Sequence, residues 1–357
     1  MEQAQEFANP MGTDGFEFLE FATREPEVLA KKFVAMGFAL VAKHRNKPIA
    51  LYRQGEINFV INNNMQSEFV ATFVDKHGTG PCAMGFRVTD AHAAFKRALE
   101  LGARPYEEEG EVTDELDIPA IYGIGEDTLI YFVDRYDDQS IYDQEFDFVN
   151  SATLKPYGAG LTYLDHVTHN VYRGNMDKWA EFYERLFNFR EIRYFDIEGQ
   201  LTGLVSRAMT SPCGKIRIPI NESADDKSQI EEFLQQYHGE GIQHIALGTN
   251  DIYETVEKLK AQQTQFMDVP DSYYDTIAKR VPWHQEDITR LKQNRILIDG
   301  APTSEGGLLL QIFTENVMGP VFCEIIQRKG NEGFGEGNFQ ALFESIERDQ
   351  IKRGVLA

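Results

Sequence analysis

The chain has 357 residues, 42% hydrophobic and 26% charged, the composition of a globular protein with room for two ordinary domains. Its 57 acidic residues against 35 basic ones give a formal net charge of −22, which argues against nucleic acid and anionic membrane as partners because both repel an acidic surface. No apolar run approaches the roughly 18–20 residues of a membrane helix, and the polar start MEQAQEFANP lacks the apolar stretch of a secretion signal.

Taken in chain order, one pattern recurs four times: a short strand, an amphipathic helix, a Gly-Phe or similar turn, then further strands. The first copy starts GFEFLEFA and enters a helix ending at Met36, stopped by Gly37-Phe38. The second starts CAMGFRVTD and continues into AHAAFKRALELGA, with Gly102 closing the helix. The segment 136–160 is rich in Asp and aromatics, lacks periodicity and ends Gly-Ala-Gly, so it reads as a joint between halves. The third copy starts YLDHVTHNVY and enters a helix carrying Trp179, Phe182, Tyr183, Leu186 and Phe187 at i, i+3, i+4, i+7 and i+8, a core-facing stripe. The fourth starts IQHIALGTND and enters a helix with Ile252, Val256 and Leu259 on one face. Segments 215–221, 307–314 and 321–328 are too short and too β-branched for helices and read as strands. The tail repeats Phe339, Leu342, Phe343 and Ile346 at helical spacing, which predicts a terminal helix with an apolar face. The expected fold is α+β: two homologous domains, 1–150 and 151–357, each made of two βαβββ modules forming an open β-barrel.

Three of these strands carry a candidate metal site. Aligning LDHVTHN on GIQHIAL puts His166 and His244 at the same place in two repeats, and VFCEIIQR adds Glu324. In that register His169 falls opposite Leu247 and on the other face of its strand, so it is the weaker candidate. Glu324 stands among Phe322, Ile325 and Ile326, where a carboxylate is costly to bury unless paired or bound to metal. Two imidazoles and one carboxylate form the facial triad of non-haem Fe(II) sites, which leaves positions open for substrate and dioxygen. The first half is an internal control: Phe18, Ala83 and Tyr131 stand at the matching positions, and none can bind iron. Three widely spaced cysteines, Cys82, Cys213 and Cys323, suggest reduced thiols and a cytoplasmic protein.

The segments LDHVTHNVYRGNMDKWAEFYERLFNF, RIPINES, GIQHIAL, LLLQIFT, FCEIIQRKG and GFGEGNFQALFESIE together resemble the 4-hydroxyphenylpyruvate dioxygenase family of the vicinal-oxygen-chelate superfamily. The resemblance spans the whole chain and is strongest from about residue 160 onward. It implies Fe(II) held by His166, His244 and Glu324, with a 2-keto acid and dioxygen as small-molecule substrates. It implies polar residues in the catalytic pocket at Ser206, Asn221, Gln243 and Gln311, and a substrate contact at Gln229. Phe313, Phe322, Phe334 and Phe339 match the family's pocket walls, and the terminal helix matches a lid. The implied reaction is decarboxylation, ring hydroxylation and side-chain migration to homogentisate, in tyrosine and phenylalanine catabolism. A homo-oligomer, dimer or tetramer, is also implied. The nearest alternative is a 4-hydroxymandelate synthase, against which Phe313, Asn221 and the RIPINE segment weigh. An extradiol ring-cleaving enzyme shares the ligand logic but not GFGEGNF. A haemolysin-type factor acting indirectly through oxidised pigment is the alternative from another class.

Overall fold

The computed structural model describes residues 7–107, 117–136, 139–149, 154–198, 203–300, 303–335, 337–339, 351 and 353–354. The four expected modules are present. The first is β1 (Phe16–Ala22), α1 (Pro26–Ala35), β2 (Ala39–His44), β3 (Ile49–Gln54) and β4 (Ile57–Asn62). After α2 (Glu68–His77) comes the second: β5 (Gly80–Arg87), α3 (Ala91–Glu100), β6 (Pro105–Tyr106), β7 (Ala120–Tyr122) and β8 (Leu129–Val133). The joint then forms α4 (Ile141–Glu145) and β9 (Phe146–Phe148). The third module is β10 (Leu161–Val171), α5 (Met176–Phe187), β11 (Arg190–Glu198), β12 (Gly203–Thr210) and β13 (Arg217–Ser223). After α6 (Gln229–Tyr237) comes the fourth: β14 (Gly241–Thr249), α7 (Ile252–Ala261), the short helices α8 (Asp271–Tyr274), α9 (Ile277–Arg280) and α10 (Ile288–Asn294), then β15 (Leu297–Gly300), β16 (Leu308–Phe313) and β17 (Phe322–Lys329).

Local sequence explains the equivalent starts of α3 and α7. Asp90 accepts from the Ala93 amide at 2.8 Å, and Asp251 accepts from the Glu254 amide at 3.0 Å. Each carboxylate satisfies a first-turn donor that the helix itself leaves unpaired. α5 buries Trp179, Tyr183, Leu186 and Phe187, with Phe182 half-buried at its edge. Its stripe reaches the other half of the molecule, since Phe187 packs edge-on against Phe86 at 5.4 Å and stacks on Phe132 at 5.9 Å.

The strands form two sheets of matching order, β6-β7-β8-β5-β1-β4-β3-β2-β9 and β11-β12-β13-β10-β14-β17-β16-β15. In both, a parallel pair flanks a central antiparallel pair: β4-β1-β5-β8 in the first sheet corresponds to β13-β10-β14-β17 in the second. The register matches as well. His166 faces Ala246, and Ala246 faces Glu324; Phe18 faces Gly85, and Gly85 faces Tyr131. His244 faces Phe322 as Ala83 faces Leu129. Phe18, Ala83 and Tyr131 therefore hold the positions of the three candidate ligands.

Two features escaped the sequence pattern. The aperiodic joint is structured: β9 extends the first sheet by pairing with β2, and Ile141 and Tyr142 of α4 pack with Phe18, Leu51, Val60 and Phe146. An apolar plug thus packs against Phe18 and Tyr131. The helices α8 to α10 interrupt the fourth module, and their four- to seven-residue lengths are too short to show a period. Of the expected terminal helix, residues 337–339 are helical, whereas Leu342, Phe343 and Ile346 lie outside the described residues.

Candidate metal centre and its aromatic pocket

The sheet register brings together one atom each from β10, β14 and β17. The ligating atoms of His166, His244 and Glu324 all lie within 4.8 Å of one another. The nearest Glu324 oxygen is 3.2 Å from His166 Nε2 and 3.5 Å from His244 Nε2. His166 and Glu324 are each only 2% exposed.

Each imidazole is held through its other nitrogen. His166 Nδ1 donates to the Asp165 carboxylate at 2.8 Å, and His244 Nδ1 donates to the Gln243 carbonyl at 3.0 Å. Both Nε2 atoms then face the centre. A Thr168 hydroxyl donates to His244 Nε2 at 2.9 Å. Gln311 donates to the second Glu324 oxygen at 2.7 Å and accepts from Asn338 at 2.8 Å. This donor set fits a metal ion: two oriented nitrogens and one anchored carboxylate converge from separate strands, and their outer atoms are already bonded.

Burial lowers the His166 pKa, but the charges of Glu324 and Asp165 outweigh it and leave it raised. His244 moves the other way, well below the usual histidine value, through burial and the charge of His166. Asp165 is pushed up by burial, yet Arg328 and His166 override this and hold it below the usual carboxylate range. His169 lies off the site, bonded to Tyr183 at 2.7 Å, and burial lowers it to about 3.

These shifts give the metal-free protein a defined pH response. For His166 the folded pKa is raised, so its stabilisation is full below the unfolded value of about 6.5 and is lost as pH rises through the folded value. For His244 and His169 it is lowered, so stability is present above about 6.5 and is lost as pH falls, toward about 3 for His169. A metal must displace the His166 proton. Its affinity is expected to rise by roughly tenfold per pH unit until that group is neutral, and then to level off. Calorimetric titration of metal-free protein with Co(II) at several pH values checks this; a flat profile contradicts it.

The remaining expected site residues divide by position. Phe322 stacks on His244 at 5.0 Å, Phe334 meets His166 edge-on at 5.3 Å, and Phe313 lies 6.4 Å from His244. Phe339 packs on Phe195 at 5.4 Å, and through Phe195 it joins Phe334 in one small cluster. Ser206, Asn221 and Asn170 form a cross-strand row on β12, β13 and β10, with Asn221 donating to Asn170 at 3.3 Å. Asn170 Nδ2 is buried without a partner. Gln229 accepts from Gln243 at 3.3 Å. Gln243 and Gln311 thus contact His244 and Glu324 directly, in addition to any part they take with substrate.

Sequence reasoning missed Asp165, Thr168, Asn170, Arg328 and Asn338. The first three sit beside His166 in the DHVTHN segment, and Arg328 sits in IIQR; their positions in those segments were the only signal. Gly335 carries a further constraint. Its φ is +78°, and a Cβ there would come 1.8 Å from Gln311 Oε1. Gly335→Ala is expected to displace the Gln311 amide, loosen Glu324, weaken metal binding by about 10–100-fold and destabilise the fold by about 1–3 kcal/mol. Metal titration alongside thermal unfolding measures both effects.

Comparison with known proteins agrees with the geometry. Residues 7–147 match the family profile "Hydroxyphenylpyruvate dioxygenase, HPPD, N-terminal", and residues 163–280 match the "Glyoxalase/Bleomycin resistance protein/Dioxygenase superfamily". The chain is 62% identical over 354 residues to "Hemolysin VllY" of Vibrio vulnificus, covering 98% of each. It is 57% identical over 351 residues to a 4-hydroxyphenylpyruvate dioxygenase of Pseudomonas aeruginosa, covering 98% of this chain and 97% of that one. Among solved structures, a mutant 4-hydroxymandelate synthase from Streptomyces coelicolor superposes with a TM-score of 0.82 at 26% identity, over 95% of this chain and 100% of that one. Three of the readings raised by the sequence, the dioxygenase, its mandelate-forming cousin and the haemolysin-type factor, thus appear by name among the proteins it resembles. Near-full-length identity at this level, joined to the fold and the converging triad, makes the chain a member of the 4-hydroxyphenylpyruvate dioxygenase family.

Proposed function

We propose that this chain binds Fe(II) through His166, His244 and Glu324 and converts 4-hydroxyphenylpyruvate and dioxygen to homogentisate and carbon dioxide. The observation that carries the reading is the triad itself: two imidazoles turned toward one carboxylate oxygen at 3.2 and 3.5 Å, in a member of this enzyme family. Iron bound there supplies activation of dioxygen and oxidative decarboxylation of the 2-keto acid. The chain's own residues bind, orient and enclose. Asp165 and Gln243 fix which nitrogen each imidazole presents. Gln311 and Asn338 keep Glu324 in place. The row Ser206, Asn221 and Asn170 offers neutral hydrogen-bonding groups suited to a phenol, and the free Asn170 N–H supports that role. Gln243, Gln311 and Gln229 line the polar side of the same pocket in this reading. Phe313, Phe322, Phe334 and Phe339 form its apolar wall and keep water from the reacting centre.

In this reading residues 1–150 are a non-catalytic domain and 151–357 the catalytic one. The plugged position at Phe18 and Tyr131 supports the division. The protein is a cytoplasmic homo-oligomer, dimer or tetramer, without nucleic-acid or membrane partners; among the described residues no helix is long and apolar enough to cross a membrane. The haemolysin name of the Vibrio relative fits an indirect effect of oxidised homogentisate pigment. A second reading, hydroxymandelate formation, is favoured by the synthase superposition. Aerobic incubation with Fe(II) and 4-hydroxyphenylpyruvate, with the product identified by mass and retention time, separates the two. Homogentisate is the expected product, and hydroxymandelate as main product removes the assignment.

A further inference from the structure

We infer that Arg328 and Asp165 act as one positioning unit that sets the metal-binding face of His166 and ties it to the turn carrying Phe334. This rests on the reading of His166, His244 and Glu324 as metal ligands. Arg328 lies four residues after Glu324 on β17, so both side chains leave the same face of the strand. Its Nε and Nη2 donate to the two Asp165 oxygens at 2.7 and 2.8 Å, a two-point clamp. Asp165 is 1% exposed, and its oxygen in turn accepts from His166 Nδ1 at 2.8 Å. An imidazole with its proton fixed on Nδ1 presents a lone pair at Nε2, the atom that faces Glu324.

The other side of the same guanidinium holds a loop. Arg328 Nη1 donates to the Asn331 carbonyl at 3.0 Å and the Gly333 carbonyl at 2.6 Å. The next residue, Phe334, lies 5.3 Å from the His166 ring, and the Arg328 guanidinium lies 5.8 Å from the Phe334 ring. One side chain thus fixes His166 from behind through Asp165 and from the front through the turn that seats Phe334. Lysine cannot reproduce this, because it has one nitrogen where the fork uses three.

The first half sharpens what the test must separate. Glu17 precedes Phe18 as Asp165 precedes His166, and it pairs with Arg87 at 2.6 Å although Phe18 cannot bind a metal. A buried ion pair at this position can therefore serve packing alone. Arg217 also approaches Asp165, at 3.4 Å, and supplies only a fourth, longer contact.

The test is calorimetric titration of metal-free protein with Co(II), alongside the visible spectrum of the bound ion and the thermal unfolding of the metal-free form. The variants are Asp165→Asn, Arg328→Gln, Arg328→Lys and the pair Asp165→Asn/Arg328→Gln, with His166→Ala as the control for the site. Each single variant is expected to weaken Co(II) binding by about 10–100-fold and to alter the visible bands, and the double variant is expected to be no weaker than the worse single. Hydrogen exchange at Gly333 and Phe334 is expected to quicken in Arg328→Gln and Arg328→Lys. If His166→Ala abolishes binding while folded Asp165→Asn and Arg328→Lys bind Co(II) with wild-type affinity and spectrum, the positioning unit is overturned and the metal site stands. If His166→Ala binds as wild type does, the site reading itself fails.

Discussion

His166→Ala, His244→Ala and Glu324→Ala are each expected to abolish iron-dependent turnover while leaving the protein folded. The expected loss exceeds the roughly 100-fold ceiling for removing a residue that only supports a ligand, because each change deletes a donor from a three-point site. Glu324→Ala also frees Gln311, whose N–H now bonds the carboxylate at 2.7 Å, and leaves that amide with its longer contact to the Phe334 carbonyl at 3.4 Å. Metal content by elemental analysis, circular dichroism and initial rates measure the three quantities together. Retained turnover in all three variants contradicts the site.

Phe187→Ala is expected to give the largest loss of stability among single core changes. Phe187 is fully buried at the end of α5 and meets Phe86 and Phe132 of the first sheet as well as Tyr183 and Phe189 of its own half. Truncation leaves a cavity where the two halves share their core, at an expected cost of about 3–5 kcal/mol. Denaturant unfolding measures it. A cost below 1 kcal/mol, on the order of a surface change, contradicts the shared core.

Much of the fold was legible because a repeat repeats its physics. The four strand-helix starts share period and turn residues, and equivalent aspartates cap α3 and α7. The triad was legible for the same reason: His166 and His244 recur at one repeat position, and Glu324 stands in an apolar strand where an unpaired carboxylate is costly. The blank positions Phe18, Ala83 and Tyr131 fall in the matching register, so the internal control rests on strand pairing as well as on alignment.

What the sequence withheld was partnership across distance. Arg328 and Asp165 are separated by 163 positions, and nothing in either strand says that they meet. Gln311 was legible as a pocket residue, yet its bond to Glu324 depends on the pairing of β16 with β17. The plug formed by α4 was hidden because five helical residues and three strand residues leave no period to detect. Asn170 was masked by its neighbours: in DHVTHN two histidines draw the reading, while the buried amide without a partner becomes visible only with the fold.

The central claim, that this chain uses its buried triad to put dioxygen into a keto acid, is tested most directly by turnover under isotopically heavy dioxygen. Anaerobically purified protein is loaded with Fe(II), given 4-hydroxyphenylpyruvate and exposed to the labelled gas, with His166→Ala run in parallel. The account predicts homogentisate carrying two heavy oxygen atoms, one in the new carboxylate and one on the ring, with no labelled product from the variant. Product with no heavy oxygen, or equal labelling by His166→Ala, would contradict it.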